Sequence, residues 1–286
     1  MKLTVFDTST SPACATDMAT YQVINAEELD TPNAFFPLKP HSDLNITTYL
    51  SALGMPGRTA YMSLKDIVGE IKPGETMFVT SAAGIVGQLV CQIAKQAGAK
   101  VIASAGSSSK VEFLQKTIGV DRAFNYKTAD IDAELEAFGR ETDGVNYLFD
   151  NVGGAQLDSW MAHSAVFGKV VVCGAISAYS STSDSPAPAI KNFPIMVLTR
   201  QLTLRGFIVS SLMPRWEKDF QQEMPELVRQ NKIRSREDVR FGVEKLASSF
   251  LDLLAGQHDG KVVVLTDDDE SQRKKWLPRN PDGFAA

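Results

Sequence analysis

The chain has 286 residues, of which 22% are charged and 44% hydrophobic, and carries a net charge of −5. That is ordinary globular usage, with length enough for a sizeable core and two lobes. The acidic balance offers no basic field for nucleic acid, and no apolar run reaches the roughly 20 residues that span a bilayer. The start Met1-Lys2-Leu3-Thr4-Val5-Phe6-Asp7 turns polar too early for a secretory leader. Cys14, Cys91 and Cys173 are widely spaced and read as reduced thiols of a cytoplasmic protein. With histidine only at His41, His163 and His258, no zinc-ligand spacing appears, and no metal is expected.

The first 50 residues are irregular, with a candidate strand at Met18 to Ile24 and extended connectors at Thr31-Pro32 and Phe35 to Pro40. A helix is predicted over 46–53. Gly54-Met55-Pro56-Gly57 reads as punctuation before a second helix over 59–68. From Thr76 the pattern alternates strand and helix, as a doubly wound parallel sheet requires. Strands are predicted at 76–80, 99–105, 122–126, 145–150, 168–174 and 202–209. Helices are predicted at 88–97, 111–117, 131–138 and 157–162. A long helix over 216–231, a helix over 243–254 and a closing strand over 260–265 follow. The tail from Asp267 is polar and reads as frayed.

The most informative segment is Thr80-Ser81-Ala82-Ala83-Gly84-Ile85-Val86-Gly87-Gln88, a small-residue turn between a buried strand and a helix. Ala82, Gly84 and Gly87 stand at the three places of G-x-G-x-x-G. Such a turn lets backbone N–H groups and a helix dipole meet a pyrophosphate, although small-residue turns are also common for purely structural reasons. At the end of the next strand an NAD protein carries an acid for the ribose 2′-hydroxyl. Here the loop is Ser104-Ala105-Gly106-Ser107-Ser108-Ser109-Lys110, hydroxyl-rich and ending in a cation. That chemistry suits a 2′-phosphate and predicts NADPH/NADP over NAD. Ligands of open parallel sheets sit beyond the carboxyl ends of the strands. That rule adds the loops at 151–154 and 173–179.

A set of motifs, in order, resembles the zinc-independent medium-chain dehydrogenase/reductase superfamily, in its prostaglandin reductase, leukotriene hydroxydehydrogenase and alkenal double-bond reductase branch. They are Gly54-Met55-Pro56-Gly57-Arg58-Thr59-Ala60-Tyr61, the 81–88 turn, Phe124-Asn125-Tyr126-Lys127-Thr128, Phe149-Asp150-Asn151-Val152-Gly153-Gly154, Val172-Cys173-Gly174-Ala175-Ile176-Ser177, Gly206-Phe207-Ile208-Val209 and Arg236-Glu237-Asp238-Val239. The resemblance covers about residues 16 to 265.

The resemblance implies an α/β fold: a doubly wound parallel Rossmann sheet with a truncated GroES-like β-barrel lobe. It divides the chain into a partial catalytic domain (1–55), a Rossmann NADP-binding domain (56–225), a returning helix and strand (226–266) and a tail (267–286). Matching positions imply that Ala83, Gly84, Ile85 and Val86 bind the pyrophosphate and that Lys110 and Tyr126 hold the 2′-phosphate. Asn151 meets the cofactor near the ribose. Cys173, Gly174, Ala175, Ile176, Ser177 and Tyr179, with Phe207, Ile208 and Val209, frame the nicotinamide. Tyr179 is also the candidate proton donor. Against these stand plain structural roles: Tyr126 as an edge-strand aromatic, Asn151 as a turn residue, Phe207 as core, Tyr179 as loop packing. His258 stands where the family usually has Asn, and reads as a surface turn residue.

Three functions follow from the resemblance. The first is NADPH-dependent reduction of the C=C bond of a small hydrophobic α,β-unsaturated carbonyl. The second is a redox-silent member that cyclises or isomerises a hydrophobic biosynthetic intermediate. The third is an NADPH-binding subunit whose site a partner chain completes. A homodimer through the apolar edge Leu202-Thr203-Leu204-Arg205-Gly206-Phe207-Ile208-Val209 is expected in any of them.

Overall fold

The computed structural model describes residues 43–265, except 180, 183–188 and 192. The expected features at Met1 to Asp7, Cys14, Met18 to Ile24, Thr31 to Pro40, His41 and the tail from Asp267 lie outside the described residues. The chain divides into two compact units, Thr59–Phe220 and the combination of Met1–Arg58 with Gln221–Ala286.

The larger unit carries a six-stranded, wholly parallel sheet. Its strands are β1 (Thr76–Val79), β2 (Lys100–Ala105), β3 (Arg122–Asn125), β4 (Val145–Asp150), β5 (Ser164–Val172) and β6 (Thr203–Gly206), in the order β3-β2-β1-β4-β5-β6. The order reverses between β1 and β4, the switch point at which dinucleotides bind in sheets of this topology. β1 is buried along its whole length, with Phe78 facing Ile102 on one side and Leu148 on the other. A strand covered on both faces needs an unbroken apolar run, which Met77-Phe78-Val79 supplies. Phe78, Ile102, Leu135, Leu148, Trp160 and Val170 form the core, and the Phe78 ring stacks on Phe124 at 5.8 Å.

The helices of this unit are α1 (Met55–Ser63, which begins in the smaller unit), α2 (Ile85–Gln96), α3 (Ser108–Phe113), α4 (Ile131–Gly139), α5 (Gly154–His163), α6 (Phe193–Arg200) and α7 (Val209–Arg229, shared with the smaller unit). Two wide π turns follow α1 and α3, at Leu64–Val68 and Leu114–Ile118. They close through Gly69 and Gly119 N–H groups donating to the Leu64 and Leu114 carbonyls. Asp66, in the first of these turns, accepts from Trp216 Nε1 at 2.9 Å and pairs with Arg205 at 2.7 Å and Arg215 at 2.8 Å. It thereby ties that turn to β6 and to the front of α7.

Several expected boundaries are corrected. Residues 54–57 do not punctuate: Met55 already begins α1, Pro56 sits in the first turn where its missing N–H costs nothing, and a Cβ on Gly57 would lie 1.8 Å from the Ala52 carbonyl oxygen. The helix expected over 46–53 is a short 3₁₀ turn, Ile46–Leu50, capped by Asn45. α5 starts at Gly154 rather than 157. The strand expected over 168–174 begins at Ser164, with a register shift around Phe167, which sits at φ 65°. The strand expected over 202–209 stops at Gly206, and α7 begins at Val209, its first turn closed by the Ser211 N–H and Oγ on the Ile208 carbonyl. α6 is an element the sequence reading missed.

In the smaller unit β7 (Glu237–Phe241) and β8 (Lys261–Leu265) pair in parallel across α8 (Lys245–Ala255), a βαβ unit of which β7 was not foreseen. Arg240 on β7 pairs with Asp238 and with Asp252 on α8. Glu237, buried at the start of β7, accepts from the Ser51 hydroxyl.

Candidate functional site: the switch point at the carboxyl ends of the strands

β1 ends at Val79, and Thr80 to Ala83 turn into α2. Gly84 is the N-cap, extended at φ −70° and ψ 159°, and supplies no side-chain cap. The first N–H groups of a twelve-residue helix therefore face outward at its positive end. Gly87 packs the helix onto the turn: a Cβ there would stand 2.6 Å from the Ala82 Cα and 2.7 Å from the Ser81 carbonyl oxygen. Ala83, Gly84, Ile85 and Val86 make up this turn and helix start, and the Gly84 N–H is already spent on the Ser81 carbonyl at 3.0 Å. The donor chemistry of such a cradle, an uncapped helix start, fits a pyrophosphate.

At the neighbouring strand ends, β2 stops at Ala105 and β3 at Asn125, side by side in register. A Cβ on Gly106 would meet the Tyr126 ring edge at 3.3 Å, the Tyr126 hydroxyl at 3.4 Å and the Lys127 Cε at 3.5 Å. Gly106, Tyr126 and Lys127 therefore gather in one corner. Ser107 N-caps α3 by accepting the Lys110 N–H at 3.4 Å, and places Lys110 in the first turn of that helix. No acid stands at the end of β2. The hydroxyl-rich loop is corrected at one residue: Ser104 is buried and donates to Gln156 Oε1 at 2.5 Å, so it belongs to the core. Lys127 is a cation that the sequence reading quoted without giving it a role. Its signal was its place beside Tyr126 at the end of β3.

On the other side of the switch point, β4 ends in Asp150, almost fully buried. Its carboxylate accepts from Thr80 Oγ1 at 2.9 Å and from the N–H groups of Val152 and Gly153 at 3.0 Å. Burial pushes this carboxyl above its ordinary range, against the pull of those donors. Asn151 donates through Nδ2 to the Thr80 carbonyl at 2.7 Å. The 173–179 loop is stitched onto this turn. Cys173 and Gly174 N–H groups donate to the Asp150 carbonyl, Ile176 to Asn151, and Ser177, by N–H and by Oγ, to Val152. Gly174 is tightly placed, since a Cβ would lie 3.0 Å from the Asn151 carbonyl oxygen and 3.3 Å from the Tyr179 hydroxyl. Burial first, then the Asp150 charge, push the Cys173 thiol up to about 12, so it stays protonated. Tyr179 is exposed and its hydroxyl accepts from the Ala175 N–H at 3.5 Å. Phe207 and Ile208 lie in the turn between β6 and α7, Ile208 widely exposed, and Val209 opens α7. His258 lies in the turn before β8, in the other unit.

A six-stranded doubly wound sheet with a glycine-capped helix start at its switch point defines a dinucleotide-binding domain of the Rossmann class. The chain belongs to the zinc-binding dehydrogenase family, whose profile it matches over residues 86–229. It is 40% identical to prostaglandin reductase 1 of Mus musculus over 234 residues, covering 80% of this chain and 68% of that protein. It is 36% identical to the NADP(+)-dependent 2-alkenal reductase of Nicotiana tabacum, over 78% of this chain and 63% of the relative. Among solved structures, CurA of Vibrio vulnificus in complex with NADPH superposes with a TM-score of 0.72 at 34% identity, over 78% of this chain and 66% of that one. The chain thus spans about two thirds of the length of these relatives. The family's description names zinc, yet among the described residues no three His, Cys, Asp or Glu side chains gather to hold a metal. Among the described residues no helix is long and apolar enough to cross a membrane.

Proposed function

We propose that the protein is an NADPH-dependent reductase of the C=C bond of small hydrophobic α,β-unsaturated carbonyl compounds. The observation that carries this reading is the Gly84-capped start of α2 at the switch point between β1 and β4, beside a cationic corner without an acid. The prostaglandin reductase and 2-alkenal reductase relatives support the substrate class.

The N–H groups of Ala83, Ile85 and Val86 bind the pyrophosphate, the Gly84 N–H being spent on the Ser81 carbonyl. Lys110 and Lys127, with the Tyr126 hydroxyl, bind the 2′-phosphate. Asn151 and the 173–179 loop orient the nicotinamide end, with residues 207–209 beside them. When bound, the reduced nicotinamide supplies hydride for the β-carbon of the substrate. A hydrogen-bond donor beside the substrate carbonyl stabilises the negative charge that develops on its oxygen. Tyr179 holds the proton destined for the α-carbon, and its exposed hydroxyl is free to exchange with solvent.

Dimerisation through β6 completes the proposal. β6 is the sheet's last strand, Thr203, Arg205 and Gly206 are exposed, and Ile208 beyond it is 68% exposed. Light scattering at micromolar protein is expected to give twice the chain mass, and a monomer refutes the edge pairing. Cys91 and Cys173 are free thiols, which accords with a cytoplasmic setting. The activity is tested by titrating the protein with NADPH and NADH and then adding enones. Preferential NADPH binding with a saturated carbonyl product supports the reading, and equal affinity for both cofactors refutes the assignment of the corner.

A further inference from the structure

Thr80 makes more polar contacts than a strand-end residue needs. It is wholly buried at the end of β1, and its N–H donates to the Phe149 carbonyl at 3.1 Å. Its hydroxyl donates to Asp150 Oδ1 at 2.9 Å and accepts the Asn151 N–H at 2.8 Å. Its carbonyl accepts Asn151 Nδ2 at 2.7 Å. Asp150 uses the same carboxylate to hold the Val152 and Gly153 N–H groups, and its own carbonyl takes the Cys173 and Gly174 N–H groups at 2.8 and 3.0 Å. The two buried side chains therefore lock the end of β4 to the end of β1, and the backbone they fix presents the Thr80 carbonyl to Asn151 Nδ2 and the Asp150 carbonyl to the N–H groups that follow β5.

These bonds fix more than loop position. A carbonyl accepts only from a donor, so the amide nitrogen of Asn151 must face Thr80 and its Oδ1 must point the other way. The result is a preset acceptor at the switch point, suited to a ligand hydroxyl. Valine at position 80 has the same shape and lacks the hydroxyl. The Asn151 N–H and the Asp150 carboxylate would then lose a buried partner together, and the loop would have to move to find water.

We infer that Thr80 and Asp150 are a positioning pair: they hold Asn151 so that its Oδ1 accepts from a ribose hydroxyl of the cofactor, and they keep the 173–177 loop in register with it. This rests on the nucleotide site proposed above. Neither residue touches the ligand, and both act through Asn151.

The test compares wild type, Thr80→Val, Thr80→Ser and Asp150→Asn. Amide hydrogen exchange of the ligand-free protein is read by peptide mass, and NADPH affinity by fluorescence titration. Thr80→Val is expected to speed exchange at least tenfold in peptides covering 151–154 and 173–177, while α2 and β2 stay protected. It is also expected to weaken NADPH about tenfold. Thr80→Ser keeps the hydroxyl and should restore both readouts to within about threefold of wild type. Asp150→Asn keeps Oδ1 as an acceptor and should fall between the two. If Thr80→Val lowers the melting temperature but leaves loop exchange and NADPH affinity at wild-type values, the pair is structural and the inference is overturned. A Thr80→Ser variant as impaired as Thr80→Val overturns it as well, because shape rather than the hydroxyl would then be at work. If wild type binds no NADPH, the nucleotide reading and the role of the Asn151 acceptor fall together, and the exchange data separately show whether the pair orders the loops.

Discussion

Gly87→Ala is the sharpest single perturbation of the proposed cofactor cradle. The added Cβ would stand 2.6 Å from Ala82 Cα, 2.7 Å from the Ser81 carbonyl oxygen and 2.9 Å from the Ala82 carbonyl oxygen. All three neighbours are backbone, so no rotamer change relieves the clash. Ordinary contact begins near 3.4 Å, so the start of α2 must retreat from the turn by about 0.8 Å. Overpacking of this kind costs about 1–3 kcal/mol of stability. The same retreat carries the Ile85 and Val86 N–H groups away from the pyrophosphate. Charge-assisted hydrogen bonds are worth about 1.5–3 kcal/mol, so NADPH affinity should fall about tenfold to a hundredfold. The assay is a fluorescence titration with NADPH beside a thermal melt. An alanine variant that binds NADPH within twofold of wild type would refute the argument that Gly87 is required by close approach.

Three further outcomes follow from the geometry. Lys110→Ala and Lys127→Ala should each weaken NADPH about tenfold or more and leave NADH nearly unchanged, because only the 2′-phosphate contact is lost; parallel loss for both cofactors in titrations would move these lysines out of the corner. The Trp216 indole N–H first, and then the Arg205 and Arg215 guanidiniums, outweigh burial and hold the Asp66 carboxyl below its ordinary range. Folding therefore gains from the ionised form above the unfolded pKa, and that gain is lost as pH falls through the lower folded value; melts from about pH 6 to about pH 3 should show a steeper acid loss for wild type than for Asp66→Asn, and parallel curves would contradict it. With its thiol pushed up to about 12, Cys173 should alkylate at pH 8 about a thousandfold more slowly than a thiol at the ordinary 9.0, read by mass on its own peptide; fast labelling would show that the 173–179 loop leaves the Asp150 neighbourhood.

The parallel sheet was legible because its strands are buried on both faces. Met77-Phe78-Val79 and Tyr147-Leu148-Phe149 are short apolar runs bounded by turn residues, as a strand buried on both faces requires, and the small-residue turn between β1 and α2 marks its own place in the fold. What was not legible has physical reasons. β7 opens with two acids, Glu237 and Asp238, and offers only Val239 and Phe241 as apolar residues; its Arg240 is paired with Asp238 and Asp252, contacts that a linear reading does not reveal. α6 carries Pro194 behind its first residue and follows a sequence rich in serine and proline, and its run Ile195-Met196-Val197-Leu198 has no polar alternation to announce a helix. Gly54 to Gly57 misled because glycine and proline usually break a helix. Here Pro56 occupies a first turn and Gly57 answers a contact with Ala52 that no local pattern shows.

The site divides in the same way. The small-residue turn with Gly84 and Gly87, and the cation Lys110 closing a hydroxyl-rich loop, stand out by residue type and spacing, whereas Tyr126 enters only through the family resemblance. Ser104 was misplaced because a hydroxyl's direction depends on a partner 52 residues away, Gln156. Thr80 and Asp150 carried a faint signal as polar residues closing two apolar strands. Only the parallel register of β1 and β4 brings them together.

The most direct test of the central claim is a single-turnover experiment with NADPH and a panel of small hydrophobic enones. Reduced-cofactor absorbance and product mass are followed in the same preparation. The account predicts consumption of one NADPH for each saturated carbonyl product, with the hydride label of deuterated NADPH on the β-carbon. NADPH bound tightly with no consumption across the panel would contradict the reductase reading and favour a redox-silent or partner-dependent protein.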